Sequence, residues 1–522
     1  KMFMRTSPTI SLLLCGFMFI PRVNLQKNES PKIAIVGGGA GGVSSGHFLR
    51  ELFDKHVQID LYEDKEIGGR VSSVKFAGQD YESGGSVIHP KNMYMVNMTK
   101  MLGLKPRAKA HGILGIYNGE EMDFTGSSFS LVTMAKMFWR YGYDLIRLDT
   151  WNTHLLEKFS SIYDHQIAGH AFTSVEKLLE SMSQDMRDLL YVSAEKKFKE
   201  EGFSERFINE LALGALRNNY GQSTDIQAFV CSVSLAGAMP GLWEVHGGNN
   251  LVFKQLVKHA SINHIHAKVQ SVTLTSTNSQ SPRYILEGVN RDNVPFKDMY
   301  DIVIIATPLH DKISDIKFNG FPKPVSYFPG EYKRTVANFV HGTPNITKFG
   351  FDNLNDFPTM LLTANRELYY RSIGKQFPVN WGGDGKAFLP SVWKVFSEEP
   401  LTESEFDDLF LSYDQTTMVD WRAYPKYGST DNIPPFQLAQ RLYYVNGIEW
   451  AASAMETSVI GGKNVALLAY NQWMGLHGNI DQEVHVKHDK TELDDSQYEN
   501  LDLISFWVFW VNVKAAILDF PS

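Results

Sequence analysis

Three glycines, Gly37, Gly39 and Gly42, follow the apolar run Lys32 to Val36 in the spacing G-x-G-x-x-G, and a second apolar run, Val57 to Tyr62, ends at an acid, Glu63. Residues of these types at these intervals bind a dinucleotide. The first glycine permits a tight turn, the second lets backbone approach a pyrophosphate, and the third lets the next helix pack on the strand. N–H groups at the start of that helix face the phosphates, and an acid about twenty residues beyond the glycines accepts from a ribose hydroxyl. Similar glycine turns also occur as plain structural turns. Here strand, loop, helix, strand and acid fall in order, which favours the ligand-binding reading.

These residues need a parallel sheet to hold them. Beyond the first unit the chain offers an alternating strand, Ala267 to Leu274, then the apolar run Asp301 to Ala306, and near its end a strand, loop and helix between Arg441 and Tyr470. The expected fold class is α/β: a Rossmann-like dinucleotide-binding domain built from discontinuous segments, 31–104, 247–310 and 441–475. An inserted α+β substrate domain is expected from residues 105–246, helical by periodicity, and 311–440, which mixes strands with Pro and Gly clusters.

A chain of 522 residues, 43% hydrophobic, can bury more than one core. Its net charge of -8 gives no basic field, so nucleic acid is not an expected partner. Lys1, Arg5 and the apolar run Ile10 to Ile20 read as a secretory signal within residues 1–30, and sequons at Asn28, Asn97 and Asn345 suit passage through the secretory route as a glycoprotein. Outside that leader Cys231 is the only thiol, which excludes an intrachain disulfide and a cysteine zinc site, and its apolar surroundings make it a buried small residue. No metal site is expected. In the tail, 476–522, the apolar run Leu501 to Leu518 allows three readings: a membrane or lipid-surface anchor, a docked helix or a gene-model artefact. Oligomeric state is not legible.

Gly68-Gly69-Arg70 resembles the G-G-R element of FAD-dependent, amine-oxidase-like flavoproteins. The resemblance implies that Gly69 and Arg70 reach the FAD diphosphate, that Val269 touches the adenine, and that Gly85 lies near the flavin. Gly447, Glu449, Met455 and Glu456 are similar to the C-terminal flavin element of the same superfamily, in which N–H groups at a helix start face the pyrimidine oxygens.

A narrower likeness runs through ESGGSVIHP (Glu82 to Pro90), WRYGYD (Trp139 to Asp144), NYGQSTDIQAFV (Asn219 to Val230), GLWEVHGGNN (Gly241 to Asn250) and RLYYVNGIEWAASAME (Arg441 to Glu456). These segments resemble the prenylcysteine oxidases. The resemblance implies an FAD-dependent thioether oxidase of the lysosome and secretory route that converts farnesyl- or geranylgeranyl-cysteine, with molecular oxygen, to cysteine, a prenyl aldehyde and hydrogen peroxide during prenylated-protein degradation. Burying a fifteen-carbon tail contributes on the order of 10 kcal/mol before ordering costs, so an apolar tunnel is expected. His89 is the candidate for positioning the attacking water, against the alternative of a structural hydrogen-bonding histidine. Trp243 and His246 are expected to pack at the domain junction. The chain departs from the family pattern at Gly38, at His246, where an acid is usual, and at Trp450, where Cys is usual; Trp450 would reshape the pocket. Two rival readings are an FAD-dependent amine or polyamine oxidase, for which Lys394 is the candidate lysine near the flavin, and a non-catalytic, lipid-binding secreted flavoprotein.

Overall fold

The computed structural model describes residues 30–482, apart from 109–111, 238–240, 276–281, 311–312, 326–327, 329, 384–390 and 429–432. The expected signal segment with Asn28 and the apolar run Leu501 to Leu518 lie outside the described residues. Strand β1 (Lys32–Val36) is central to a six-stranded sheet. It is followed by α1 (Ala40–Phe53) and β2 (Gln58–Tyr62). The sheet runs Gln437–Ala439, Leu442–Tyr444, Ile302–Ile305, β1, β2, Asn263–Ile265, and every pairing except the one at Gln437–Ala439 is parallel.

Both faces of this sheet are covered, and β1 shows why its sequence is apolar throughout. Ile33 and Ile35 join a core made with α1 and the helices Asn250–His259 and Met455–Met474. Ala34 and Val36 join the opposite core, with Val272, Tyr284 and Leu286 of a four-stranded sheet, Pro295–Tyr300, Tyr284–Asn290, Ala267–Leu274, Lys317–Asn319. Strand Lys317–Asn319 lies beyond the boundary expected at 310, because its backbone pairs with Ser271 to Thr273. Gln437–Ala439 likewise joins the six-stranded sheet from before residue 441.

After the hairpin β3 (Ser73–Phe76) and β4 (Gln79–Glu82) and the helix α2 (Met93–Met101), the chain enters a second body. Strands β5 (Leu114–Tyr117) and β6 (Met122–Thr125) extend one edge of a seven-stranded sheet. Its other strands are Met360–Thr363, Tyr370–Lys375, Ser391–Ser397, Tyr332–Pro344 and Phe410–Pro425. Helices α3 (Ser130–Tyr141) and α4 (Tyr143–Ile167) follow, then shorter ones. Four of these begin at a serine, Ser174, Ser183, Ser193 and Ser204. Each hydroxyl accepts from the backbone N–H three residues on, at 3.1 to 3.3 Å.

A buried acid ties the two bodies together. Glu456, at the start of helix Met455–Met474, accepts from the N–H groups of Tyr94 (2.8 Å) and Met95 (3.0 Å) and from the Tyr163 hydroxyl (2.8 Å). Burial pushes its carboxyl up to about 7 against these three donors. Glu82 is likewise raised to about 7, by burial and then by Glu244. A carboxyl raised in the folded state holds its proton there while the unfolded chain has released it, so stability falls as pH rises through the window from 4.5 to about 7. Each group accounts for a change on the order of 3 kcal/mol across that window. Urea melts are expected to give a higher midpoint at pH 5 than at pH 8; a midpoint that rises with pH across this range would contradict the assignment.

Candidate cofactor and active site

The turn after β1 is built by close approach. Gly37 donates to the Tyr62 carbonyl at 2.9 Å, and a Cβ on Gly42 would stand 1.9 Å from the Gly37 carbonyl oxygen. Gly39 differs: a Cβ there would meet nothing within 4 Å. It opens on free space at the N-terminus of α1, whose first turn carries no acid and no side-chain cap. This is the opening a pyrophosphate needs, with backbone N–H groups and the positive helix end facing it.

Glu63 follows the last residue of β2. Its carboxylate accepts from Gly38 N–H at 2.9 Å and Lys65 N–H at 2.8 Å, and burial raises it while those donors pull it back. Two oxygens with about four lone pairs leave room for a ribose hydroxyl. The G-G-R turn docks on the same loop. Gly68 donates to the Gly38 carbonyl at 2.9 Å, and Gly69, at φ +57°, sits against the Cα of Gly39.

Arg70 then reaches across the chain. Its guanidinium pairs with the Glu449 carboxylate and donates to the Ala423 carbonyl at 2.6 Å. Glu449 is 2% exposed and also accepts from Asn446 (2.6 Å) and the Tyr332 hydroxyl (3.1 Å). Burial opposes the charge on Arg70, and Glu449 outweighs it and holds the guanidinium protonated. The Arg70 carbonyl accepts from Gly85 N–H at 3.1 Å, and a Cβ on Gly85 would touch the Met455 side chain at 3.3 Å. Gly69, Arg70, Gly85, Glu449 and Met455 therefore share one neighbourhood, leading away from the glycine loop.

Gly447 is buried in the turn before that helix, where a Cβ would lie 2.5 Å from the Pro434 carbonyl oxygen. The side chain of Val269 is committed to the core with Tyr62 and Val272. His89 forms a turn: its N–H donates to Asn92 (2.8 Å) and its Nδ1 accepts from Lys91 N–H (3.0 Å). Burial, and then Lys91, lower its pKa. A neutral ring accepting at Nδ1 carries its proton on Nε2, so that nitrogen can orient a water as donor but cannot deprotonate it. Trp243 is buried at the junction, bridged to Ile88, whereas the His246 side chain is exposed, against expectation. Asn97 is exposed on α2, and the Asn345 amide donates to the Asp408 carbonyl at 3.3 Å. Cys231 is fully buried, and burial raises its thiol.

Residues 124–482 match the family model described as prenylcysteine lyase, and residues 35–101 match an NAD(P)-binding Rossmann-like domain. The chain belongs to the prenylcysteine lyase family. Prenylcysteine oxidase 1 of Bos taurus is 41% identical over 490 residues, covering 92% of this chain and 96% of that protein. The Homo sapiens protein of the same name is 42% identical over 490 residues, covering 92% and 97%. Among solved structures, cyclohexylamine oxidase from Brevibacterium oxydans aligns with a TM-score of 0.52 at 12% identity, covering 85% of this chain and 99% of that one, a likeness of fold alone.

In this member of the prenylcysteine lyase family the neighbourhood also contains Glu82, Asn249, Arg107 and Glu244, to which sequence reading gave no role, together with Lys394, named only for the amine-oxidase reading. Glu82 accepts from Asn249 N–H at 2.7 Å, and Asn249 donates through its side chain to the Gly85 carbonyl at 3.1 Å. The buried Lys394 ammonium donates to the Glu82 carbonyl at 3.2 Å between the rings of Phe339 and Phe396, and Arg107 pairs with Glu244 at 2.5 Å. Burial lowers Lys394, with Glu244 and Glu82 opposing. The available signals were the acid before Gly84-Gly85 and the asparagine after Gly247-Gly248. Trp450 packs edge-on against Tyr332, with ring centroids 6.1 Å apart.

Replacing Arg70 by Ala strands Glu449 without its cation. The expected loss is about 2 kcal/mol in a urea melt, at the low end for a buried pair because Arg70 is part-exposed. Arg70→Lys is expected to recover part of it, since a point charge replaces the fork. An unchanged midpoint for Arg70→Ala would show that the pair carries nothing.

Proposed function

We propose that this chain binds FAD along the neighbourhood from Gly39 to Met455 and oxidises S-prenyl-cysteine, farnesyl or geranylgeranyl, to cysteine, prenyl aldehyde and hydrogen peroxide. One arrangement carries the cofactor part: the open position at Gly39 is followed by the docked Gly68-Gly69 turn, whose next residue Arg70 pairs with Glu449 and accepts from Gly85, itself against Met455. An NAD-only fold has no need of that extension. The substrate part rests on family membership and on the name carried by the relatives.

When bound, the flavin supplies a two-electron acceptor for hydride from the carbon next to sulfur and returns the electrons to dioxygen. The chain's residues orient and shield. Gly39 and the start of α1 take the phosphates, Glu63 the ribose, and the Arg70–Glu449 pair fixes the turn before Met455. Hydride loss from a carbon activated by sulfur and an alkene needs no strong base, which agrees with a His89 whose free nitrogen is a donor. Water then adds to that carbon, and the hemithioacetal breaks its C–S bond. The balance is one prenyl thioether, one water and one dioxygen to one thiol, one aldehyde and one hydrogen peroxide. Tyr332, Trp450 and Tyr427 stand close by as apolar walls that keep bulk water out. A lysosomal or secretory location is part of the same proposal, supported by the leader-like N-terminus and by a fold made firmer in acid by Glu82 and Glu456.

The purified protein is expected to show a flavin absorption spectrum, and Glu63→Ala to retain FAD poorly. Anaerobic addition of farnesylcysteine is expected to bleach the flavin band, and spermine to leave it unchanged. Bleaching by spermine would favour the amine-oxidase reading, bleaching by neither would favour a binding protein, and a colourless protein would remove the cofactor assignment.

A further inference from the structure

Helix α3 breaks the usual rule for a surface helix. Leu131, Val132, Ala135, Phe138 and Trp139 recur at i, i+1, i+4, i+7 and i+8, one face of an α-helix, and that face points outward: Leu131 is 59% exposed and Trp139 93%. Phe129 before the helix and Tyr143 after it, 71% and 61% exposed, lengthen the stripe at both ends. On the inward side Tyr141 is buried in the core and Met137 packs against it, and polar side chains add to the hold. Thr133 accepts from Ser127 N–H at 2.8 Å, Lys136 donates to the Thr125 carbonyl at 3.0 Å, and Arg140 pairs with Glu210 at 2.6 Å and Asp123 at 3.1 Å. Between the stripe and β6 runs a groove of about 720 Å³, lined by Phe124, Leu131, Val132, Ala135 and Trp139 beside Lys136 and Arg140.

We propose that α3 is a docking helix for a phospholipid bilayer surface. Three observations select a lipid occupant. An outward apolar stripe with exposed aromatics at its ends has the pattern of an interfacial helix, with Trp139 and Tyr143 at headgroup depth. From Gly126 to Gly142 the only charges are Lys136 and Arg140, both basic, on a chain whose net charge is -8; Arg140 is held by its two acids, which leaves the exposed Lys136 ammonium, bonded only to carbonyls, for an anionic headgroup. Finally, β6 is the edge strand of the seven-stranded sheet, and strand Ser391–Ser397, which carries Lys394 beside Glu82, lies four strands inward, about 19 Å away at the usual strand spacing. A prenyl chain leaving a bilayer at α3 would enter the body that holds the site. This last point rests on the prenylcysteine reading; the first two do not.

The test uses the full chain and its Leu131→Ser/Trp139→Ser and Lys136→Glu variants, all with the same tail, pelleted with phosphatidylcholine vesicles with and without phosphatidylserine. The unaltered chain is expected to pellet with both and more with phosphatidylserine. The double variant is expected to lose about tenfold in partitioning, and Lys136→Glu only the phosphatidylserine increment. Unchanged thermal melts check that the variants are folded. Failure of the unaltered chain to pellet, or equal pelleting by the double variant, overturns the proposal. So does a concentration-dependent dimer without vesicles that the double variant abolishes, which would make the face a contact between copies. Oxidation of farnesylcysteine delivered in vesicles is expected to fall in the double variant and to stay unchanged in detergent micelles. If the unaltered chain oxidises it in neither, the substrate reading fails while the pelleting result stands on its own.

Discussion

A guanidinium at position 70 and a carboxylate at position 449 meet in a place from which water is largely removed, and the two halves of the site depend on that meeting. The carboxylate, which is the buried partner, would not be tolerated there alone. The pair joins the turn that docks on the glycine loop to the turn that starts the helix at Met455. Asn446 and Tyr332 each donate a further hydrogen bond to the carboxylate. The constraint is geometric as much as energetic: the fork of the arginine also holds the Ala423 carbonyl, so the long strand Phe410–Pro425 of the second body is positioned by the same residue.

From that pair the architecture divides by accessible chemistry. On one side lie backbone and glycine, where side chains are excluded by contacts such as Gly42 against Gly37. On the other lie aromatic rings and a buried polar group of Glu82, Lys394, Arg107 and Glu244. The first side suits phosphates and a sugar. In the second, Lys394, Arg107 and Glu244 are engaged in internal contacts, and Glu82 keeps one buried carboxylate oxygen without a partner.

Much of this was legible in sequence because it depends on local rules. The strand Lys32 to Val36 agrees residue for residue with β1, and the glycine spacing and Glu63 are joined by hydrogen bonds as their types require. Glu449 and Met455 were found by resemblance to a motif, and their partners Arg70 and Gly85 by others. That these meet was not legible, because contacts spanning hundreds of residues leave no periodic trace. The sheet membership of Lys317–Asn319 escaped for the same reason, since its pairing with Ser271 to Thr273 crosses the expected boundary, and His246 is exposed rather than packed at the junction. Glu82 entered the sequence reading only as the first residue of a family segment, because burial, which marks it out, is not written in its type.

The placement of β1 carries a consequence for how the chain is made. Its partner on one side, β2, emerges within thirty residues, but its partner on the other, Ile302–Ile305, is translated some 270 residues later, and the helix that covers one of its faces comes last, at Met455–Met474. During synthesis this strand therefore has α1 at hand for one face but an open edge and an uncovered face at Ala34 and Val36, the kind of surface that aggregates unless it is shielded. The ligand-binding turn leaves the ribosome long before the segments that complete its sheet, so a product truncated ahead of Ile302 would display the motif without the means to hold anything in it.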